Sequence, residues 1–149
     1  MTTSALHEIP GGEALIDWFG QVPAFHDADV MAINLVSNGP SVLNLWTWRM
    51  TDKVDAQGYF EIEKHIFVDI VMREVTYASL YQFQLPGIIF QLHITRSGDE
   101  FDLSWEGSYG VSGTIRAKQV SVESRPGIRE ERIADWERVK RSGRGSDAR

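Results

Sequence analysis

Apolar and polar residues alternate with a period of two along most of this chain, and each alternating run ends in a turn signal. Met31, Ile33 and Leu35 alternate with Ala32, Asn34 and Val36, then meet Ser37-Asn38-Gly39-Pro40. From Val42 to Met50, Leu43, Leu45 and Thr47 share one face while Asn44, Trp46 and Trp48 share the other. These two runs predict a hairpin. Phe60 to Met72 predicts a long strand with Phe60, Ile62, Ile66, Val68, Ile70 and Met72 on a buried face. Glu61, Glu63, His65, Asp69 and Arg73 fall mainly on a wet one. Ile88, Phe90, Leu92 and Ile94 oppose Ile89, Gln91, His93 and Thr95, and Phe101, Leu103 and Trp105 alternate with Asp102, Ser104 and Glu106. Val111, Gly113, Ile115 and Ala117 are in phase, but Val120 and Val122 are not, which predicts a β-bulge near Lys118-Gln119. Val75 to Phe83 reads as a connection with aromatic anchors, closed by Pro86-Gly87.

Two segments have the helical period instead. Ala14, Leu15, Trp18 and Phe19 make one apolar side of a short helix from Glu13 to Phe19, capped by Gly20 and barred from continuing by Pro23. Ile128 to Lys140 predicts a charged helix held chiefly through Trp136. The fold class is therefore mostly β (α+β). We expect a curved antiparallel sheet of about six strands, able to close toward a half-barrel, with a short N-terminal and a C-terminal helix. Residues 1–140 are expected to form a single β-rich domain and 141–149 a mobile basic tail.

Composition narrows the functional classes. The chain has 149 residues, 42% of them hydrophobic, and no cysteine, so thiolate catalysis, thiolate metal sites and disulfides are excluded. No apolar run approaches the roughly 20 residues of a membrane span, and the first twelve residues lack the basic and apolar regions of a secretory signal. A cytoplasmic location is expected. The formal net charge of −6 is uneven. Residues 1–137 carry 10 basic and 20 acidic residues, a balance of −10, while Arg138, Lys140, Arg141, Arg144 and Arg149 make the end of the chain basic. An acidic body disfavours nucleic acid and anionic membrane and favours a basic protein partner.

Candidate chemistry is sparse. His26-Asp27 has the residue types of a base and its orienting carboxylate, but neighbouring residues are poorly placed for that role. We expect it to be structural instead, with His26 donating to a buried carbonyl and Asp27 folding back on local amides. On that reading His26→Ala costs on the order of 1–3 kcal/mol. His7, His26, His65 and His93 show no ligand spacing; only His65 and His93 could meet, across paired strands beside Glu63 or Asp69, so no metal or cofactor is expected. Trp105-Glu106-Gly107 has the look of a sugar platform, yet Trp105 is in phase with the core. No catalytic residue is assigned. The expected partner-binding face comprises Glu61, Glu63, Asp69, Asp102 and Glu106, with Trp46 and Trp48 as an aromatic patch.

The stretch Trp18-Phe19-Gly20, followed by Pro23-Ala24-Phe25-His26-Asp27-Ala28-Asp29-Val30, resembles bacterial immunity proteins, the predicted antitoxins of polymorphic toxin systems, and in particular immunity protein fifty. Phe90-Gln91-Leu92, Ser108-Tyr109-Gly110-Val111-Ser112-Gly113 and Val120-Ser121-Val122 fit the same pattern, over roughly residues 14–124. The resemblance implies a β-rich binding domain without chemistry, in which Trp18, Phe19, Phe25, His26 and Asp27 are structural markers. The expected function is a non-enzymatic protein-binding module, an immunity protein that neutralises a toxin. The alternative is a small-molecule-binding β-barrel or a pocket enzyme using His26 or His93. The concave face discriminates between them: filling by Ile66, Ile70, Phe90, Leu92 and Trp105 favours the module, and a cavity with a histidine at its mouth favours the pocket.

Overall fold

Alternation with one apolar face forces each strand to bury that face against something, and here the strands bury it against one another. In a computed structural model, residues 4–49 and 64–127 are described. They form α1 (Gly12–Phe19), β1 (Asp29–Asn34), β2 (Ser41–Arg49), β3 (Lys64–Tyr81), β4 (Gly87–Ser97), β5 (Glu100–Tyr109) and β6 (Ser112–Pro126). All pairings are antiparallel, and the strands close into a barrel in the order β1-β2-β3-β6-β5-β4. The fourth strand returns beside the first, which is a Greek key. The ring is thus fuller than the half-barrel that the sequence allowed. The predicted C-terminal helix and its Trp136, the basic tail, Phe60, Ile62, Glu61 and Glu63 lie outside the described residues. Among the described residues no helix is long and apolar enough to cross a membrane.

The core is one contiguous cluster inside the ring. Leu43, Leu45, Ile66, Val68, Ile70, Met72, Leu92, Leu103, Trp105 and Ile115 all point into it, as their phase predicts. Burying side chains of this size contributes roughly 1.5–3 kcal/mol each, which offsets the entropy of ordering the strands. Trp105 donates its Nε1–H to the Val111 carbonyl at 3.0 Å. The edge of its indole lies against Gly113, where a Cβ would come within 2.6 Å of the ring. The sugar-platform reading of Trp105 ends there.

Three expectations about the strands need correction. Val75 to Tyr81 is no connection but the second half of β3, paired with β6 as far as Tyr81↔Ser112. The register with β6 shifts at Thr76, between Val75↔Ala117 and Tyr77↔Arg116. The inward phase of β6 does break at Lys118-Gln119, but the extra residue sits on its partner strand. In β4 the register slips around Phe90, between Ile89↔Gly107 and Gln91↔Glu106. Ile89 consequently enters the core and Phe90 is expelled to 44% exposure, so Phe90 does not fill the concave face.

The N-terminal segment completes the barrel. β1 and β4 share only Asp29↔Ile88 and Val30↔Gly87, which leaves most of the β4 edge without a strand. That edge is taken instead by the chain before β1. Asp27 N–H donates to Ile89 O at 2.8 Å and Ile89 N–H to Ala28 O at 2.9 Å. Leu92 N–H donates to Ala24 O at 2.8 Å and Ala5 N–H to Ile94 O at 2.7 Å. On the far side Val122 N–H of β6 donates to Pro10 O at 2.8 Å. Ala5, Leu6, Ile9 and Leu15 of this segment join the core cluster. α1 ends as predicted, with Gly20 at φ +81° donating to Ile16 O at 2.7 Å.

Gly11 is the tightest point of this crossing. Its φ is +84°, and a Cβ there would lie 1.8 Å from the Val122 carbonyl oxygen. Gly11→Ala is therefore expected to destabilise the protein by about 2 kcal/mol or more in urea unfolding. A loss under about 0.5 kcal/mol would mean that the segment does not dock on β6.

Candidate functional site

The His-Asp pair sits on a turn, in the open. Phe25 and Asp27 both adopt the left-handed conformation, at φ +60° and +68°. This turn drives the Phe25 ring into the core beside Phe19, at 6.1 Å between centroids, and swings its neighbours outward. His26 is 60% exposed at its side chain, its Nδ1 is 3.2 Å from Asp27 Oδ2, and its ring tilts against Phe90 at 5.5 Å. The expected buried hydrogen bond from His26 to a carbonyl is thus replaced by a solvent-facing contact, because the left-handed turn turns the ring away from the backbone. Trp18 and Phe19 pack edge to face at 4.9 Å, half-buried against the core.

Two described members of the expected acidic face, Asp69 and Asp102, are engaged within the fold. Asp69 accepts a hydrogen bond from Asn44 Nδ2, its cross-strand neighbour. Asp102 holds Arg116 at 2.7 Å across the β5–β6 pair, and this bond raises the guanidinium pKa further above its ordinary value. Trp46 and Trp48 are half-buried, with centroids 5.6 Å apart, and Trp46 stacks on the His65 ring at 5.0 Å. They are neither a bare patch nor part of the core. His65 and His93 do not stand on paired strands, since β3 pairs with β2 and β6 whereas β4 pairs with β1 and β5. Among the described residues no three potential metal ligands gather.

The outer face of β3, β6, β5 and β4 has a more distinctive organisation. The register lines up three rows across these four strands. Tyr77, Arg116, Asp102 and Thr95 form the first, and Ser79, Thr114, Ser104 and His93 the second. Tyr81 pairs with Ser112, and Glu106 with Gln91, to make the third. Ser79, Thr114 and Ser104 of the middle row are short, so the larger side chains of the third row stand above them as a wall. The result is an open groove of about 370 Å³, floored by hydroxyls and walled in part by Tyr81, Gln91 and Glu106. His93 therefore faces this outer groove, not the barrel interior. A second recess of about 450 Å³ lies where Ile9 and Pro10 cross Phe101 and Val120.

An aromatic rim adjoins the groove. Tyr81 is 67% exposed, Phe83 58%, Tyr109 54% and Leu85 37%, with Phe90 nearby. Gln84 Nε2 donates to the Tyr109 hydroxyl at 2.8 Å, which ties the segment between β3 and β4 to the end of β5. Gly110 leaves space for this crossing: a Cβ there would lie 2.8 Å from Gln84 O. Large apolar side chains concentrated at one end of a barrel, rimming a polar groove, mark an interaction surface. Reasoning from sequence did not find it, although Tyr77, Ser79 and Tyr81 already alternate there.

Comparison with known proteins gives no matching family model, no matching curated protein and no matching solved structure.

The geometry separates the two members of the turn. His26→Ala is expected to change stability by less than about 0.5 kcal/mol, because the ring is exposed. Phe25→Ala should cost about 3–5 kcal/mol, as deletion of a core ring does. Chemical denaturation of both variants checks this; equal losses would overturn the assignment of the turn.

Proposed function

We propose that this chain is a non-enzymatic protein-binding module, an immunity protein that works in the cytoplasm by covering a basic toxin. The observation that carries this reading is the aromatic rim beside the groove. Tyrosine is among the residues that dominate binding energy at protein interfaces, at small entropic cost, and phenylalanine is enriched in their buried cores. Serine and threonine beside them offer hydrogen bonds that adapt to a partner. Tyr81 and Tyr109 stand on strands, and the connection that carries Phe83 and Leu85 is tied to Tyr109 through Gln84, so part of the rim is ordered before binding. The side chains that fill the ring support a module rather than a container for a small ligand. The acidic balance of residues 1–137 supports a basic partner and speaks against nucleic acid. The motif from Trp18 to Val30 adds its resemblance to immunity proteins.

The test is direct. The protein is mixed with the toxin domain encoded beside its own gene, and complex formation is followed by size-exclusion chromatography with light scattering and by calorimetry. The wild type should form a stable complex and abolish toxicity on co-expression. Tyr81→Ala and Phe83→Ala should each weaken binding at least tenfold, about 1.4 kcal/mol, with unchanged melting temperature. Ser104→Arg, which fills the groove, should do the same. No complex, or one indifferent to all three changes, overturns the reading.

A further inference from the structure

Rows one and three of the outer face are built alike. Each runs from a tyrosine on β3, through a residue of β6, to a carboxylate on β5 and a polar residue on β4. In the first row these are Tyr77, Arg116, Asp102 and Thr95, and the Arg116 guanidinium bonds the carboxylate at 2.7 Å. In the third, Tyr81 pairs with Ser112 and Glu106 with Gln91, and the β5–β6 ladder, whose last pair is Trp105↔Gly113, carries Ser112 and Glu106 to the same level of the groove. Ser112 stands where the first row has Arg116, and its Oγ accepts from the Gly107 N–H at 2.9 Å instead of reaching the acid. Glu106 is exposed, and among the described residues it makes no hydrogen bond or ion pair.

We infer that the third row takes an arginine side chain of the protein partner, laid across Ser112 with its guanidinium on Glu106, as Arg116 lies on Asp102 two rows away. This rests on the proposed protein-binding function and specifies what the partner brings to the groove. Charge and shape agree. Glu106 is the one carboxylate among the groove's lining residues, in a chain of net charge −6. Strands lie about 4.8 Å apart, so Tyr81 stands roughly 10 Å from Glu106, a span that an arginine stem and fork can cover. A planar guanidinium can take both carboxylate oxygens at once and lie against a tyrosine face, which a lysine ammonium cannot match. The short Ser79, Thr114 and Ser104 side chains of the middle row leave room for the extended segment that carries the arginine.

The probe is the blocked tripeptide N-acetyl-Gly-Arg-Gly-amide, titrated into isotope-labelled protein and followed by amide chemical shifts, with the citrulline peptide as its neutral isostere. The arginine peptide should shift amides at Tyr81, Gln91, Glu106 and Ser112, and the citrulline peptide should bind at least tenfold more weakly. Glu106→Gln should weaken the arginine peptide at least tenfold while leaving the spectrum elsewhere unchanged; Asp102→Asn, four residues away on β5, should weaken it less than threefold. Equal binding of the two peptides, or shifts scattered over all surface carboxylates, overturns the inference. In the toxin complex, Glu106→Gln at wild-type affinity together with loss in Tyr81→Ala would sink the arginine contact and leave the protein-binding reading standing. Indifference to both changes would remove both.

Discussion

A sheet edge cannot be left bare inside a folded protein, because every unpaired N–H and C=O there costs a lost hydrogen bond. This barrel meets that constraint with a segment that is not a strand. β1 gives β4 only two pairs, and residues 5–28 then supply the partners for Ile89, Leu92 and Ile94. The same segment reaches across to Val122 of β6, so one stretch of chain closes two edges. Everything inward follows from that closure. Leu15, Ile9 and Leu6 become core residues only because the segment is fixed there, and Gly11 has to be glycine-like for the crossing to fit.

Register shifts in β3 and β4 then shape the outer surface. At Thr76 the extra residue lets the second half of β3 bring Tyr77, Ser79 and Tyr81 onto one face. At Phe90 the slip expels an aromatic ring that simple alternation would bury and sends Ile89 inward in its place. Bulges are features that re-aim side chains, and here both contribute to the surface proposed for binding. The engaged acids, Asp69 and Asp102, contribute to the sheet, which leaves Glu106, the one carboxylate lining the groove, able to meet a partner there.

Much of the fold was legible in the chain. Leu43, Leu45 and Thr47, and later Leu103, Trp105, Ile115 and Ala117, keep strict phase and are buried as that phase requires. Pattern failed where apolar residues are contiguous: Ile88, Ile89 and Phe90 offer three equal candidates for the inward position, and only the pairing with β5 chooses between them. It failed again at Val75 to Tyr81, because the outward side chains there are tyrosines and the inward ones, Ala78 and Leu80, are small or half-exposed. The exposure of His26 depends on two non-glycine residues at positive φ, which no local pattern announces. The groove was hidden for a different reason. Its members come from four strands, and their adjacency exists only in the register.

The β3–β6 ladder carries an implication for how the chain reaches this state. Its partners are nearest in sequence at Tyr81↔Ser112 and grow steadily farther apart toward Ile66↔Pro126. Closing the smallest loop costs the least entropy, so pairing is cheapest to begin at the Tyr81 end and to propagate outward from there. The β4–β5 hairpin, which closes locally at Ser97↔Glu100, lies within that first loop. Within this ladder the end beside the aromatic rim, proposed to meet a partner, is thus also the end whose pairing closes the smallest loop.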